Sequence, residues 1–257
     1  MKFGNPTDYG NLDLGPAAVD DIATSVKFVQ DMKDSGWQLP DRFGQDEHRD
    51  PLELRNNQFQ GKVAEFMVYR WLQLQGIETL KEPTIDAWKK GESDPGYDFE
   101  MKKVDGNIFR LEVKSGGEKS RNLALEVQKW GVEDGPDGTP KLKYNVPKEK
   151  VHGGRNMSPS AFVFVSVSSN FDAKNITATI ASGKIIGGVY PTMVIDAIEH
   201  STDSVNNVFP KGNRIFGKPL QVSNYVWGTR VTKQRGSKFH MINPDELFEW
   251  IFKVLRK

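Results

Sequence analysis

The stretch GYDFEMKKVDGNIFRLEVKS, residues 96–115, constrains this chain more than any other. IFRLEVKS alternates apolar and polar side chains, the period of a half-buried strand. Phe109, Leu111 and Val113 then share one face, and Arg110, Glu112 and Lys114 share the other. Ahead of them Asp105-Gly106-Asn107 supplies turn residues and GYDFEMKK reads as a partner strand, so a hairpin is predicted. Such a hairpin brings Asp98 beside Glu112, with Lys114 next along the same face.

Helical patterns surround it. Residues 18–36 place Ile22, Val26, Val29 and Met32 at helical spacing before Gly36. A second helix is expected from Asp50-Pro51, a cap followed by proline at the first helical position, to Gly76; its apolar face holds Phe59, Val63, Phe66, Met67, Tyr69 and Leu74. A third, DELFEWIFKVLR, follows Asn243-Pro244 with Leu247, Ile251 and Leu255 in register. ETLKEP, AFVFVSVS, NITATI and KIIGGVY read as strands, PTMVIDAIEH as a short helix, and NLALEVQKW as helix or strand. Residues 132–160, rich in glycine, proline and charge, read as a long loop or inserted element. Helices before, between and after strands, with no repeat, predict one α/β domain: a central mixed sheet flanked by helices over residues 46–257, with residues 1–45 as an appended helical arm.

Composition narrows the chemistry. The 257 residues are 37% hydrophobic and include no cysteine, which excludes disulfides, thiol catalysis and cysteine-ligated metal clusters. The N-terminus lacks the apolar run of a signal peptide, and no apolar stretch approaches the roughly 20 residues of a membrane span, so a cytoplasmic protein is expected. Charge is divided unevenly. Residues 1–100 carry 11 basic and 19 acidic side chains and residues 101–257 carry 24 and 15, a net of −8 followed by +9. Between Asp203 and Asp245 there is no acid, whereas Lys211, Arg214, Lys218, Arg230, Lys233, Arg235 and Lys238 fall there, a run able to track a phosphate backbone. Arg230, Gln234 and Arg235 are of the types that read base edges bidentately. A second basic stretch holds Lys148, Lys150, His152 and Arg155.

Two converging carboxylates suit Mg²⁺, which takes oxygen ligands and keeps several waters. A metal there offsets charge on a phosphorus centre and acidifies a water, and Lys114 is placed to orient that water or neutralise the phosphate. An acid two residues before a lysine is by itself uninformative, since it occurs four times. Asp31 and Lys33 fall inside a helix and Asp172 and Lys174 after a strand; Glu100 and Lys102, with Asp86 as partner acid, are the competing choice. The strand before Glu112, at hairpin distance, favours Glu112.

With DPGYDFEM followed by FRLEVKS, and GKVAEFMVYRWLQLQGI upstream, the chain resembles the PD-(D/E)XK nuclease superfamily over about residues 57–115, although Gly96-Tyr97 separates Pro95 from Asp98. The resemblance implies a restriction-endonuclease-like core and a Mg²⁺-dependent phosphodiesterase acting on double-stranded DNA, most like a small type II restriction enzyme. Metal would be held by Asp98, Glu112 and the Val113 carbonyl, with Glu65 on the inner helix adjusting a second metal position. It also implies a homodimer acting on two strands. A junction-resolving nuclease, a non-enzymatic DNA-binding relative and a partner-binding α/β protein are the alternatives. Other chemistries lack support: His48, His152, His200 and His240 show no zinc-ligand spacing, no stretch has the spacing of a nucleotide-phosphate loop, and the serines at 166–169 lack a nucleophile elbow.

Overall fold

The computed structural model describes residues 11–36, 50–88, 92, 96–118, 122–126, 130–144, 151–154, 157–193, 195, 225–229, 239–240 and 242–256, with 122–126, 130–132, 225–229 and 239–240 as backbone alone. Strands β1 (Leu12–Pro16), β2 (Phe99–Lys102), β3 (Ile108–Gly117), β7 (Ala161–Ser169) and β8 (Ala181–Val189) form a five-stranded sheet in the order β1-β8-β7-β3-β2. β3 pairs in parallel with the central strand β7 and the other pairs are antiparallel, so the sheet is mixed. Between β3 and β7 lie β4 (Asn122–Glu126) and the two-stranded pair β5 (Trp130–Asp134) and β6 (Pro140–Tyr144). β4 pairs with β9 (Tyr225–Thr229), which also pairs with β10 (Phe239–His240).

Helices α1 (Val19–Asp34), α2 (Pro51–Leu74) and α3 (Pro244–Leu255) pack on this framework. The two proline-headed helices begin where the sequence marks them. The Asp50 side chain accepts from Leu52 N at 2.9 Å and that of Asn243 from Glu246 N at 3.0 Å, caps each worth about 1 kcal/mol. Leu247, Ile251 and Leu255 of α3 enter the core, as do Ile22, Val29 and Met32 of α1, and Val26 packs half-buried against it. α2 lies across the sheet, its Phe59, Val63 and Met67 in one cluster with Leu111, Val113, Val163 and Ile185. A Cβ on Gly183 would stand 2.6 Å from Met67 Cε, so this glycine admits the helix close to β8. Among the described residues no helix is long and apolar enough to cross a membrane.

The structure departs from the sequence reading in particular places. Residues 12–34, read as part of an appended arm, supply an edge strand on β8 and a helix against α2, with Asp21 of α1 paired to Arg70 of α2. ETLKEP contributes only a bridge, Thr79 to Met101, with the Leu80 N–H donating to the Glu100 carbonyl at 2.7 Å. NITATI is a turn: the Asn170 side chain accepts from Thr179 N and Ile180 N, and Asp172 from Lys174 N and Asn175 N, so side chains take the place of a neighbouring strand. NLALE is a strand, and the expected long loop contains the β5–β6 hairpin around Asp137-Gly138. Leu74 is exposed at the helix end, where Leu72 takes the buried position instead. PTMVIDAIEH lies largely outside the described residues.

Candidate active site

The hairpin forms as its alternation requires. β2 and β3 pair Phe99 with Leu111, Glu100 with Arg110, Met101 with Phe109 and Lys102 with Ile108. Its turn is stiffened by Asp105, which accepts from Asn107 N at 2.9 Å and from Lys103 Nζ at 2.8 Å; Lys103 and Asn107 hold its carboxyl down at about 2. Just beyond this register the Asp98 N–H donates to the Leu111 carbonyl at 2.9 Å, which holds Asp98 against the Leu111–Val113 stretch of β3.

β2 begins at Phe99, so the Val113 N–H meets no strand carbonyl and donates instead to Asp98 Oδ2 at 2.6 Å. The N–H and C=O of a strand residue point to the same side. The Val113 carbonyl therefore faces the Asp98 edge rather than β7. The next residue, Lys114, donates to Glu112 Oε1; the Glu112 side chain is 4% exposed and that of Lys114 31%. Burying Glu112 is tolerable only because a cation accompanies it.

Helix α2 brings the third acid. Glu65 lies close enough to raise the Asp98 carboxyl electrostatically, and Glu112 acts on Glu65 in the same way. Burial is the largest effect on both: it pushes Asp98 up to about 8, against the pull of Lys114, the Val113 N–H and Lys62, and it raises Glu65 against the pull of Lys62. Glu65, Asp98 and Glu112 with Lys62 and Lys114 thus form a single electrostatic cluster. Among the described residues no three carboxylate or histidine side chains converge as a ready-made metal cage.

The competing acid-lysine pair is otherwise engaged. Glu100 accepts from Arg110 Nε at 3.0 Å, Arg110 lies over the Tyr97 ring, and Lys102 and Asp86 are exposed. His152 pairs with Glu92 at 2.9 Å. The nucleic-acid candidates Lys211, Arg214, Arg230, Lys233, Gln234, Arg235 and Lys238, and Lys148, Lys150 and Arg155, lie outside the described residues.

Lys62 is the residue that pattern reading missed. Its ammonium donates to Glu65 Oε2 at 2.6 Å and to the Thr84 carbonyl at 2.7 Å, and lies 4.7 Å from the centroid of the Phe28 ring. The signal was present: a lysine within the apolar stripe of α2, between Phe59 and Phe66, with a glutamate three residues on. Comparison with family models, with curated proteins and with solved structures gave no match.

Proposed function

We propose that the chain is a Mg²⁺-dependent endonuclease acting on double-stranded DNA, with a restriction-endonuclease-like core built on α2 and the β2–β3 hairpin. One observation carries the reading. The Asp98 carboxylate is fastened to the backbone between Glu112 and Lys114, so two acids, a backbone carbonyl and a lysine meet at one end of a hairpin. The donor set is all oxygen and suits a hard divalent cation. A carboxyl that burial and a neighbouring carboxylate push up to about 8 is also one that a cation would ionise.

Asp98, Glu112 and the Val113 carbonyl are the groups that would hold Mg²⁺. When bound, the ion would acidify a water and offset charge on the scissile phosphate. Lys114, reaching from buried Glu112 towards solvent, would orient the attacking water or neutralise a phosphate oxygen. The acid-free, basic sequence between Asp203 and Asp245 supports DNA as the polyanion. Cutting both strands of a palindrome would call for two copies of the chain.

The test is cleavage of supercoiled plasmid and linear phage DNA, with Mg²⁺ or EDTA, beside Lys114→Ala. Discrete bands that require metal and vanish in the variant are expected, with linear duplex cut at fixed sites. Metal-independent DNA binding with no cleavage, unaltered by Lys114→Ala, would overturn the reading in favour of a non-catalytic DNA-binding protein. Cleavage confined to branched DNA would make the enzyme a junction nuclease.

A further inference from the structure

Lys62 is buried. Its side chain is 6% exposed and is fixed by three different parts of the chain: Glu65 on its own helix, the Thr84 carbonyl from the segment after α2, and the Phe28 ring of α1. Phe28 is itself buried in the core. An amine held this way stays fixed in the site, unlike a surface lysine that swings into water.

The charge count then limits what the cluster accepts. Glu65, Asp98 and Glu112 contribute three negative charges when ionised, and Lys62 and Lys114 two positive ones, leaving one negative. A single divalent cation carries that balance to one positive; a second carries it to three positive within a buried site, which is costly at low dielectric. The carboxylate that a second ion would need is Glu65, and its Oε2 is already bound to Lys62.

On the reading of this site as a metal-dependent nuclease, we infer that Lys62 stands where a second cation would otherwise be needed, so that the centre takes one divalent ion and Glu65 serves as the counter-ion of Lys62 rather than as a metal ligand. Lys62 is accordingly a positioning residue. The inference replaces the expected second metal position beside Glu65.

The test counts Mn²⁺ ions bound per chain by electron paramagnetic resonance, which needs no turnover. Wild type is expected to bind one. Lys62→Met, close in volume and uncharged, frees Glu65 and is expected to bind two. The double variant Lys62→Met/Glu65→Gln, which removes both members of the buried pair and so avoids a lone charge, is expected to return to one. Two ions on wild type, or one ion on a folded Lys62→Met, would overturn the inference; the wild-type count decides even if Lys62→Met fails to fold. Absence of bound Mn²⁺ in all three would overturn the metal-dependent reading and this inference with it, an outcome distinct from a wild-type count of two.

Discussion

Asp98 accepts the Val113 N–H at 2.6 Å, which ties the first acid of the site to the backbone between the second acid and the lysine. An asparagine can accept the same hydrogen bond through its amide oxygen but carries no charge. Asp98→Asn should therefore keep the hairpin and the thermal stability of the metal-free protein while lowering DNA cleavage by at least about 100-fold. Melting curves and a plasmid assay on the same preparation check both halves.

The same carboxyl makes stability depend on pH. Asp98 titrates near 3.8 in the unfolded chain and about 8 in the fold, so the folded state retains a proton that the unfolded chain has lost across that interval. The corresponding stability is full below about pH 4 and is lost as pH rises through about 8, by on the order of a few kcal/mol. In EDTA, melting temperature should fall between pH 5 and pH 8, and less steeply in Asp98→Asn. Apparent Mg²⁺ affinity should rise by about tenfold per pH unit below pH 8, because the ion displaces that proton. A pH series of melts and metal titrations reads each slope.

Asp21 and Arg70 join α1 to α2 unequally: the Asp21 side chain is 5% exposed and that of Arg70 52%. Arg70→Ala strands a buried carboxylate, whereas Asp21→Ala leaves a guanidinium that water already reaches. Arg70→Ala should cost about 3 kcal/mol and Asp21→Ala about 1 kcal/mol. Urea denaturation should show that order, and the reverse order would contradict this account of the pair.

Two glycines of β8 should respond differently to one methyl group. At Gly183 the added carbon would meet the flexible end of Met67, and at Gly188 it would run into the Phe162 carbonyl and the Leu247 side chain. Gly183→Ala should cost about 1 kcal/mol, and Gly188→Ala at least about 3 kcal/mol because a backbone oxygen has no rotamer to change. Chemical denaturation of the two variants checks this.

Local chemistry was what the sequence made legible. Asp50-Pro51 and Asn243-Pro244 named their helix starts, and Asp105-Gly106-Asn107 named the turn that pairs β2 with β3. The β5–β6 hairpin was missed although Asp137-Gly138 is a turn signal, because glycine and proline around it hid the short alternation of Lys141 to Tyr144. β1 was missed because its hydrogen-bond partner is remote, and nothing in Leu12–Pro16 itself announces it. Lys62 was missed because a lysine reads as solvent-facing, and only the Thr84 carbonyl and the Phe28 ring, supplied by other segments, make it interior.

Strand β8 is held by two segments far apart in sequence: β1 pairs along one side from Leu12 to Pro16, and Gly188 exchanges hydrogen bonds with Ile242 just ahead of α3, whose Leu247 packs against that glycine. Leu12 must find Ile185, 173 positions later in the order of synthesis. During synthesis β1 therefore emerges long before its partner, and the loop-closure entropy of joining it is met only once β8 has followed. Until β1 docks, β8 is paired only along its β7 side and its other edge is open to a further strand.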